Sequence, residues 1–123
     1  MEARQSWAGS VPREVIQHMA DMIAQHFHPD KVILFGSYAR GQANENSDID
    51  LMVLLEEAPP EGRRSAPMIR LLVEHFPFPV DVVVRTTSGF EQWRHVVGSL
   101  VREVAREGIV LYDKARPRSP SVA

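Results

Sequence analysis

The chain has 123 residues, of which 44% are hydrophobic and 24% are charged, values that are typical of a water-soluble globular protein and exclude an intrinsically disordered chain. A net charge of −2 and an isoelectric point of about 6.2 give no overall positive field, so nucleic acid is not an expected partner. Cysteine is absent, which excludes disulfides, thiolate metal sites and cysteine nucleophiles. The sequence lacks a membrane-spanning run and a secretory pattern, and we expect a cytoplasmic protein.

The first part of the chain predicts a helix, a strand and a short helical turn. Ser10 is a suitable N-cap and Pro12 suits a first turn, so a helix is expected to begin near Val11. Its apolar residues recur every three or four positions until His28-Pro29: Val15, Met19, Met22, Ile23 and Phe27. Residues 31–35 contain four consecutive apolar residues, two of them β-branched, and predict a strand. One helical turn is expected over residues 37–40.

The second part predicts further strands and helices around an exposed loop at residues 56–64. Strands are expected over 48–55 and 80–86, and a helix with Pro67 in its first turn is expected between them. Ser88 is a candidate N-cap for a helix to residue 97, and a stretch at 99–107 ends at Gly108, which leaves two helices or one kinked helix open. Residues 109–112 suit an edge strand.

These elements indicate an α+β fold, with helices packed on a small mixed, largely antiparallel sheet. The length suits one compact domain. We expect that domain to occupy residues 10–112, between a flexible N-terminus at 1–9 and a disordered tail at 113–123.

A glycine and a serine stand where the first predicted strand ends, and two acids stand where the second begins. Gly36 and Ser37 open a helical turn whose free N–H groups suit a phosphate. Asp48 and Asp50 lie on one face of their strand, about 6.5 to 7 Å apart along the chain. If these two strands run antiparallel, the phosphate cradle and the acids meet. Oxygen ligands of this kind favour a hard cation such as Mg²⁺.

Asp81 is a third acid near the start of a strand, in an otherwise β-branched run. Suitable pairing would place it at the same edge as Asp48 and Asp50, where three carboxylates hold up to two cations. Like charges packed together repel one another, a cost that a bound metal offsets. The alternative for Asp81 is a salt bridge to Arg85 on the same face of the strand.

This pattern resembles the minimal nucleotidyltransferases of the DNA polymerase β superfamily, whose signature is Gly-Ser, ten residues and then Asp-x-Asp. Gly36-Ser37 and Asp48-Ile49-Asp50 have that spacing, and Asp81 matches the third acid of the family. The resemblance extends from about residue 15 to residue 112. It implies a fold like the polymerase β palm and a reaction in which an acceptor hydroxyl attacks the α-phosphate of a nucleoside triphosphate, with pyrophosphate leaving.

The resemblance also implies a role for each residue of the pattern. Asp48 and Asp50 would hold the Mg²⁺ bound to the triphosphate, and Asp81 would place a second ion that activates the acceptor hydroxyl. Gly36 and Ser37 would bind the phosphates. Arg40 would neutralise phosphate charge, or else brace the loop or pair with Glu45.

The acceptor and the partner are further implications of the resemblance. Larger relatives carry a second domain that holds the acceptor, and we expect no room for one here. Minimal relatives are often antitoxins encoded beside HEPN toxins, and some transfer AMP from ATP to a toxin tyrosine. Two alternatives remain: a binding module that neutralises its partner by contact, and an ATP sensor within an oligomer. A homo-oligomer and a hetero-oligomer with the toxin are both compatible with the sequence.

We expect the other conspicuous side chains to have structural roles or to lie at the surface. The five histidines are scattered and lack metal-ligand spacing, so we expect structural or surface groups. An apolar helical stripe indicates core packing or a partner contact: Phe90, Trp93 and Val97. Four charged residues are expected on one solvated helix face: Arg102, Glu103, Arg106 and Glu107.

Overall fold

The computed structural model describes residues 11–58 and 65–116, which form a four-stranded sheet with helices on both faces. The helices are α1 (Arg13–Phe27), α2 (Ser37–Arg40), α3 (Ser65–His75), α4 (Thr87–Trp93) and α5 (Leu100–Glu107). The strands are β1 (Lys31–Phe35), β2 (Ile49–Leu55), β3 (Val80–Thr86) and β4 (Ile109–Asp113). The predicted 1–9 segment and the end of the predicted tail, residues 117–123, lie outside the described residues.

The sheet is mixed, with strand order β3-β2-β1-β4. β1 pairs antiparallel with both β2 and β4, whereas β2 and β3 are parallel. The parallel pair arises because α3 returns the chain to the starting end of the sheet between β2 and β3, as a crossover connection requires. The predicted α+β fold with a mixed, largely antiparallel sheet is therefore confirmed.

Each face of the sheet buries a separate apolar cluster. Ile49, Leu51 and Val53 of β2 pack on the face covered by α1 and α3. Met52 and Leu54 point to the other face, where they meet residues of α4 and α5. All five side chains are fully buried, as expected for an inner strand covered on both faces. Asp50 continues the Met52 and Leu54 series, so it belongs to the face of α4 and α5. Asp48 lies just before β2, which begins at Ile49 and not at the predicted residue 48.

The predicted boundaries of α1 and α4 need correction. α1 begins at Arg13, and Pro12 takes the N-cap position instead of the first turn; Ser10 lies outside the described residues. Thr86, not Ser88, is the N-cap of α4, because its Oγ1 accepts a hydrogen bond from the Gly89 N–H at 3.0 Å. α4 ends at Trp93 instead of residue 97, and Gly98 adopts a φ of 88° before α5. The region therefore forms two helices.

A β-bulge in β4 is stabilised from the other end of the chain. Val32 and Ile33 pair with Tyr112 and Val110, so Leu111 is the extra residue in that strand. The Gln17 Nε2 of α1 donates to the Leu111 carbonyl at 2.8 Å, which satisfies a group that the ladder leaves out. β4 extends to Asp113, one residue past the predicted domain boundary.

Asp30 joins the segments at the end of the sheet that lies away from Gly36. Its N–H donates to the Leu54 carbonyl, and its own carbonyl accepts from the Lys114 N–H. Its carboxylate accepts from the Thr87 Oγ1 at 2.5 Å and lies 3.8 Å from the Lys114 Nζ. One residue therefore connects β2, α4 and the chain after β4. Among the described helices, none has the length and apolar character needed to cross a membrane.

Candidate active site

Gly36 and Asp50 are in direct contact at the end of β1. Gly36 has a φ of 78°, a backbone conformation that side-chain-bearing residues rarely adopt. A Cβ at this position would overlap the Asp50 Oδ2. The glycine is therefore required twice, by the turn into α2 and by the space that the carboxylate occupies.

The strand register brings Asp81 beside Asp50. Phe35, the residue before Gly36, pairs with Asp50 across β1 and β2, and Asp50 pairs directly with Asp81 across β2 and β3. Neighbouring residues in register project to the same face of a sheet, so both carboxylates lie on the face of α4 and α5. Asp48 lies two residues before Asp50. The end of β1 thus meets the beginnings of β2 and β3 at one edge, as the sequence predicted.

The three acids form an electrostatically strained group. Burial, followed by the charges of Asp81 and Asp48, raises the pKa of Asp50 to about 6, and the Arg40 guanidinium partly opposes this rise. Asp48 and Asp81 are exposed, whereas Asp50 is half-buried. Repulsion among neighbouring carboxylates is the condition that a bound cation relieves.

The donor set fits Mg²⁺ in a shared site. Within residues 11–58 and 65–116, no three His, Cys, Asp or Glu side chains form a ready-made metal cluster. Mg²⁺ commonly uses only one or two protein carboxylates and takes its other ligands from substrate phosphates and water. The Asp50 carboxylate beside the Gly36 turn, with Asp81 and Asp48 near it, provides oxygen ligands of that kind.

The short helix α2 is anchored in the core. Tyr38 is buried, and its hydroxyl oxygen accepts a hydrogen bond from the Val11 N–H at 3.3 Å. The Arg40 N–H donates to the Gly36 carbonyl, and the Gln42 N–H donates to the Ser37 carbonyl. Ser37, the first residue of α2, is therefore held next to the turn in a partly exposed position.

Arg40 is oriented by residues that the sequence did not connect with it. Its Nε donates to the Gln42 Oε1 at 3.1 Å. Its Nη1 lies 3.7 Å from the Glu103 Oε2 and 3.8 Å from the Glu107 Oε1, both on α5. The alternative pairing with Glu45 is wrong, because Arg40 pairs with Glu103 and Glu107 on the exposed face of α5.

A sequence profile described as nucleotidyltransferase domain matches residues 16–111. This segment contains β1, α2, β2 and β3, and with them the whole site. The chain belongs to the nucleotidyltransferase domain family. The recognition made from the Gly-Ser and Asp-x-Asp pattern is thereby confirmed.

Curated relatives of this nucleotidyltransferase domain match over shorter segments. Three proteins of Methanocaldococcus jannaschii, each named as a candidate protein adenylyltransferase, are 60%, 36% and 38% identical over 30, 47 and 45 residues. The matches cover 24%, 38% and 37% of this chain and 30%, 55% and 45% of those proteins. The chain thus matches about half the length of these relatives or less.

Solved structures show that the fold is that of other nucleotidyltransferases. A candidate nucleotidyltransferase from Sulfolobus solfataricus has a TM-score of 0.55 at 16% identity, over 96% of this chain and 88% of that one. A toxin-antitoxin structure with AMP-PNP has a TM-score of 0.57 at 23% identity, over 81% of this chain and 75% of that one. At these identities the likeness concerns the fold alone.

Four other side chains that the sequence singled out in this nucleotidyltransferase domain make contacts of other kinds. In the described part of the chain Asp81 forms no ion pair with Arg85, whose Nη1 donates instead to the Val84 carbonyl at 3.0 Å. The His18 ring packs edge-on against Phe76 at 5.6 Å. The Nδ1 atoms of His26 and His75 lie 3.0 Å from carbonyls of their own helices.

The predicted apolar stripe on α4 divides between the core and the surface. Phe90 is buried in the cluster under α4 and α5. Trp93 and Val97 are exposed instead, because α4 ends at Trp93 and the helical spacing does not continue to Val97.

Proposed function

We propose that this chain is a Mg²⁺-dependent enzyme that transfers AMP from ATP to a hydroxyl group of a partner protein, namely a tyrosine of a HEPN toxin, and thereby acts as a cytoplasmic antitoxin. The observation that carries the proposal is the contact between Gly36 and Asp50 at the edge where Asp81 also lies. A side-chain-free turn next to paired carboxylates suits a metal-bound triphosphate.

Each residue of the site receives one task in this proposal. Asp48, Asp50 and Asp81 would hold Mg²⁺, which neutralises charge on the triphosphate and lowers the pKa of the attacking hydroxyl. Gly36 lets the backbone approach the phosphates, and the Ser37 hydroxyl donates a hydrogen bond to them. Arg40, one helical turn later, adds positive charge on the triphosphate side.

The reaction is a substitution at the α-phosphorus. A bond forms between the acceptor oxygen and that phosphorus, and the bond from the phosphorus to the bridging oxygen of pyrophosphate breaks. The hydroxyl proton leaves to a carboxylate or to water. Asp81 is exposed at the start of edge strand β3, so an approaching protein hydroxyl reaches its carboxylate before that of the half-buried Asp50.

Two comparisons support the choice of AMP and of a protein acceptor. The M. jannaschii relatives carry the name protein adenylyltransferase, and one structure of the same fold is a toxin-antitoxin with AMP-PNP. Family membership supports nucleotidyl transfer itself. The HEPN class of the partner and the tyrosine acceptor rest on the resemblance described above.

The decisive experiment uses ATP labelled at the α-phosphate. The purified chain is incubated with labelled ATP, Mg²⁺ and the protein encoded beside its gene, which the proposal expects to be a HEPN toxin, and the modified residue is located by mass spectrometry. Wild type should label one toxin tyrosine. Asp48→Asn with Asp50→Asn should abolish labelling, whereas the charge-matched control Glu56→Gln with Glu74→Gln, on two exposed acids away from the site, should not.

Other outcomes would favour the alternatives. If the Asp48→Asn and Asp50→Asn variant still neutralises the toxin in cells as well as wild type does, neutralisation occurs by contact and the enzymatic proposal fails. If wild type labels no acceptor but ATP changes its sedimentation, the domain is a nucleotide sensor.

A further inference from the structure

Four of the large exposed hydrophobic side chains in the described part of the chain cluster at the corner between α4 and α5. They are Trp93, Val96, Val97 and Leu100. Trp93 is 52% exposed and Val97 is 82% exposed, although a Trp usually buries most of its surface. Contiguous exposed apolar surface on a small soluble protein usually marks a binding site.

This corner borders an open groove on the active-site face of the sheet. The groove has a volume of about 350 Å³. Its lining includes Arg85 of β3, Trp93 of α4 and Leu100 of α5. Arg85 projects to the same face as Asp81, four residues earlier on the strand, because side chains alternate along a strand. Arg85 therefore lies about 13 Å along the strand from Asp81, at the strand rise of about 3.3 Å per residue.

The charge of the corner differs from that of the whole chain. Residues 85–102 contain three arginines and one glutamate, a net charge of +2 in a chain whose net charge is −2. Arg94, beside Trp93, lies with its guanidinium 5.6 Å from the centre of the Phe90 ring and forms an ion pair with Glu91 at 3.3 Å, so Arg85 and Arg102 supply the net positive charge. An apolar patch with a positive rim is complementary to an apolar protein segment flanked by acidic side chains.

We infer that the corner formed by residues 93–100 together with Arg85 is the docking surface for the protein acceptor, which presents an apolar segment flanked by acids. A protein bound there covers the exposed face of β3 and places a hydroxyl at Asp81. This inference rests on the proposed transfer of AMP to a protein. It adds the surface that selects the acceptor, with Arg85 about 13 Å along the strand from Asp81.

A protein segment fits this surface better than nucleic acid does. Polyanion binding depends on many phosphate contacts, whereas the corner has a net charge of only +2 and is centred on aliphatic side chains. Trp93, which is 52% exposed, matches the aromatic anchors of protein interfaces.

The test separates acceptor binding from ATP binding. KM values for ATP and for the purified protein that wild type labels are measured with Val97→Ser and Trp93→Ala. Each variant should raise the KM for the acceptor at least fivefold and leave the KM for ATP unchanged. The matched controls are Val73→Ser on α3 and Val110→Ser on β4, since these residues are 53% and 51% exposed but lie on elements other than α4 and α5. Both controls should behave as wild type.

Each contrary result has a defined meaning. Unchanged acceptor KM in both corner variants overturns the docking surface and leaves the proposed function intact. Absence of any labelled protein with wild type overturns the proposed function, and the docking surface with it. Displacement of the acceptor by single-stranded poly(U), or a dimer of this chain that only the corner variants dissociate, assigns the surface to another occupant and overturns the inference.

Discussion

Gly36 combines two requirements that a pair of alanine variants can separate. Gly36→Ala introduces both a strained positive φ and a clash with the Asp50 Oδ2. Gly98→Ala introduces only the strained φ, because no atom lies within 4 Å of its Cβ position. Because Gly98 belongs to the proposed docking surface, we expect Gly98→Ala to destabilise the fold by about 1–2 kcal/mol but to keep the rate of transfer at saturating acceptor concentration.

Gly36→Ala should reduce transfer at least ~100-fold, because displacing a substrate-binding group by about 1 Å has that effect. Urea unfolding and initial transfer rates measure both properties in both variants. Equal loss of activity in the two would mean that backbone strain, and not the space beside Asp50, explains the glycine.

The raised pKa of Asp50 predicts that the stability of the metal-free protein depends on pH. This pKa is raised from 3.8 to about 6, so the folded state binds the proton more tightly than the unfolded state does. The stabilising effect of the protonated form is complete below pH 3.8 and is lost as the pH rises through about 6. Asp50→Asn should therefore raise the melting temperature in EDTA at pH 8 and give a much smaller gain at pH 4.

At pH 8, Asp50→Asn is expected to raise the free energy of unfolding by about 1 kcal/mol. The gain is small because Asp50 is only half-buried and solvent screens its charge. Scanning calorimetry at both pH values gives the measurement. Glu74→Asn, at an exposed position on α3, serves as the control and should show no such pH dependence. A gain for Asp50→Asn that is equal at both pH values would contradict the repulsion described here.

Alanine variants at two positions test which residue is the N-cap of helix α4. The Thr86 hydroxyl accepts from the Gly89 N–H, whereas Ser88 lies inside the helix and is exposed. Thr86→Ala should destabilise the protein by about 1 kcal/mol in urea unfolding, and Ser88→Ala by less than about 0.5 kcal/mol. The reverse order would restore the N-cap expected from the sequence.

Two glutamates of helix α5 form ion pairs with Arg40 and so affect its proposed role in phosphate binding. The Glu103 and Glu107 carboxylates are about half exposed and lie 3.7 and 3.8 Å from Arg40, so these ion pairs contribute little stability, about 0–1 kcal/mol. Replacing both glutamates with glutamine removes negative charge beside the proposed triphosphate site. The KM for ATP should fall about two- to fivefold, with the unfolding midpoint nearly unchanged.

Arg40→Gln should act in the opposite direction and raise the KM for ATP about tenfold, as the loss of one charge-assisted hydrogen bond implies. Steady-state kinetics with varied ATP distinguishes the two roles left open for this residue. If both sets of variants raise the KM and lower stability together, Arg40 braces the loop and does not serve the phosphates.

Elements with a strong local signal were predictable from the sequence. β1, α2 and β3 match their predicted bounds, because an apolar run ended by Gly36 and a β-branched run between prolines and threonines have few alternatives. The N-cap of α4 was misassigned, since Thr86, Thr87 and Ser88 are equivalent in sequence and only the backbone course selects one. The Arg40 contacts with α5 join residues more than sixty positions apart, and no local pattern encodes them.

At the scale of the whole molecule, the site depends on strand order. The Gly-Ser and Asp-x-Asp spacing predicted that Gly36 and Asp50 meet, and the β1–β2 register agrees with this. Asp81 reaches the same edge only because β3 lies parallel to β2 with Asp81 opposite Asp50. That register depends on the tertiary structure. The position of Asp81 was therefore harder to predict from the sequence than those of Asp48 and Asp50.

The shared site predicts that the metal and the nucleotide stabilise the protein together. Mg²⁺ or ATP alone should change the melting temperature little, because each supplies only part of the ligand set. Both together, at about 100 times the dissociation constant, should add about 2.7 kcal/mol. Differential scanning fluorimetry provides the measurement, and Asp48→Asn with Asp50→Asn should remove the joint effect. Full stabilisation by ATP in EDTA would argue against carboxylate-held Mg²⁺.

The pairing of β1 with β4 affects the folding of the nascent chain during translation. β4 is synthesised only after β2, β3 and the helices between them, so one side of β1 has no strand partner while the ribosome makes the rest. The hydrogen bond from the Gln17 side chain to the Leu111 carbonyl also forms only after β4 has been synthesised. Translation speed and chaperone access during this interval therefore bear on yield, and a pause before residue 109 would prolong the exposure of an aggregation-prone edge.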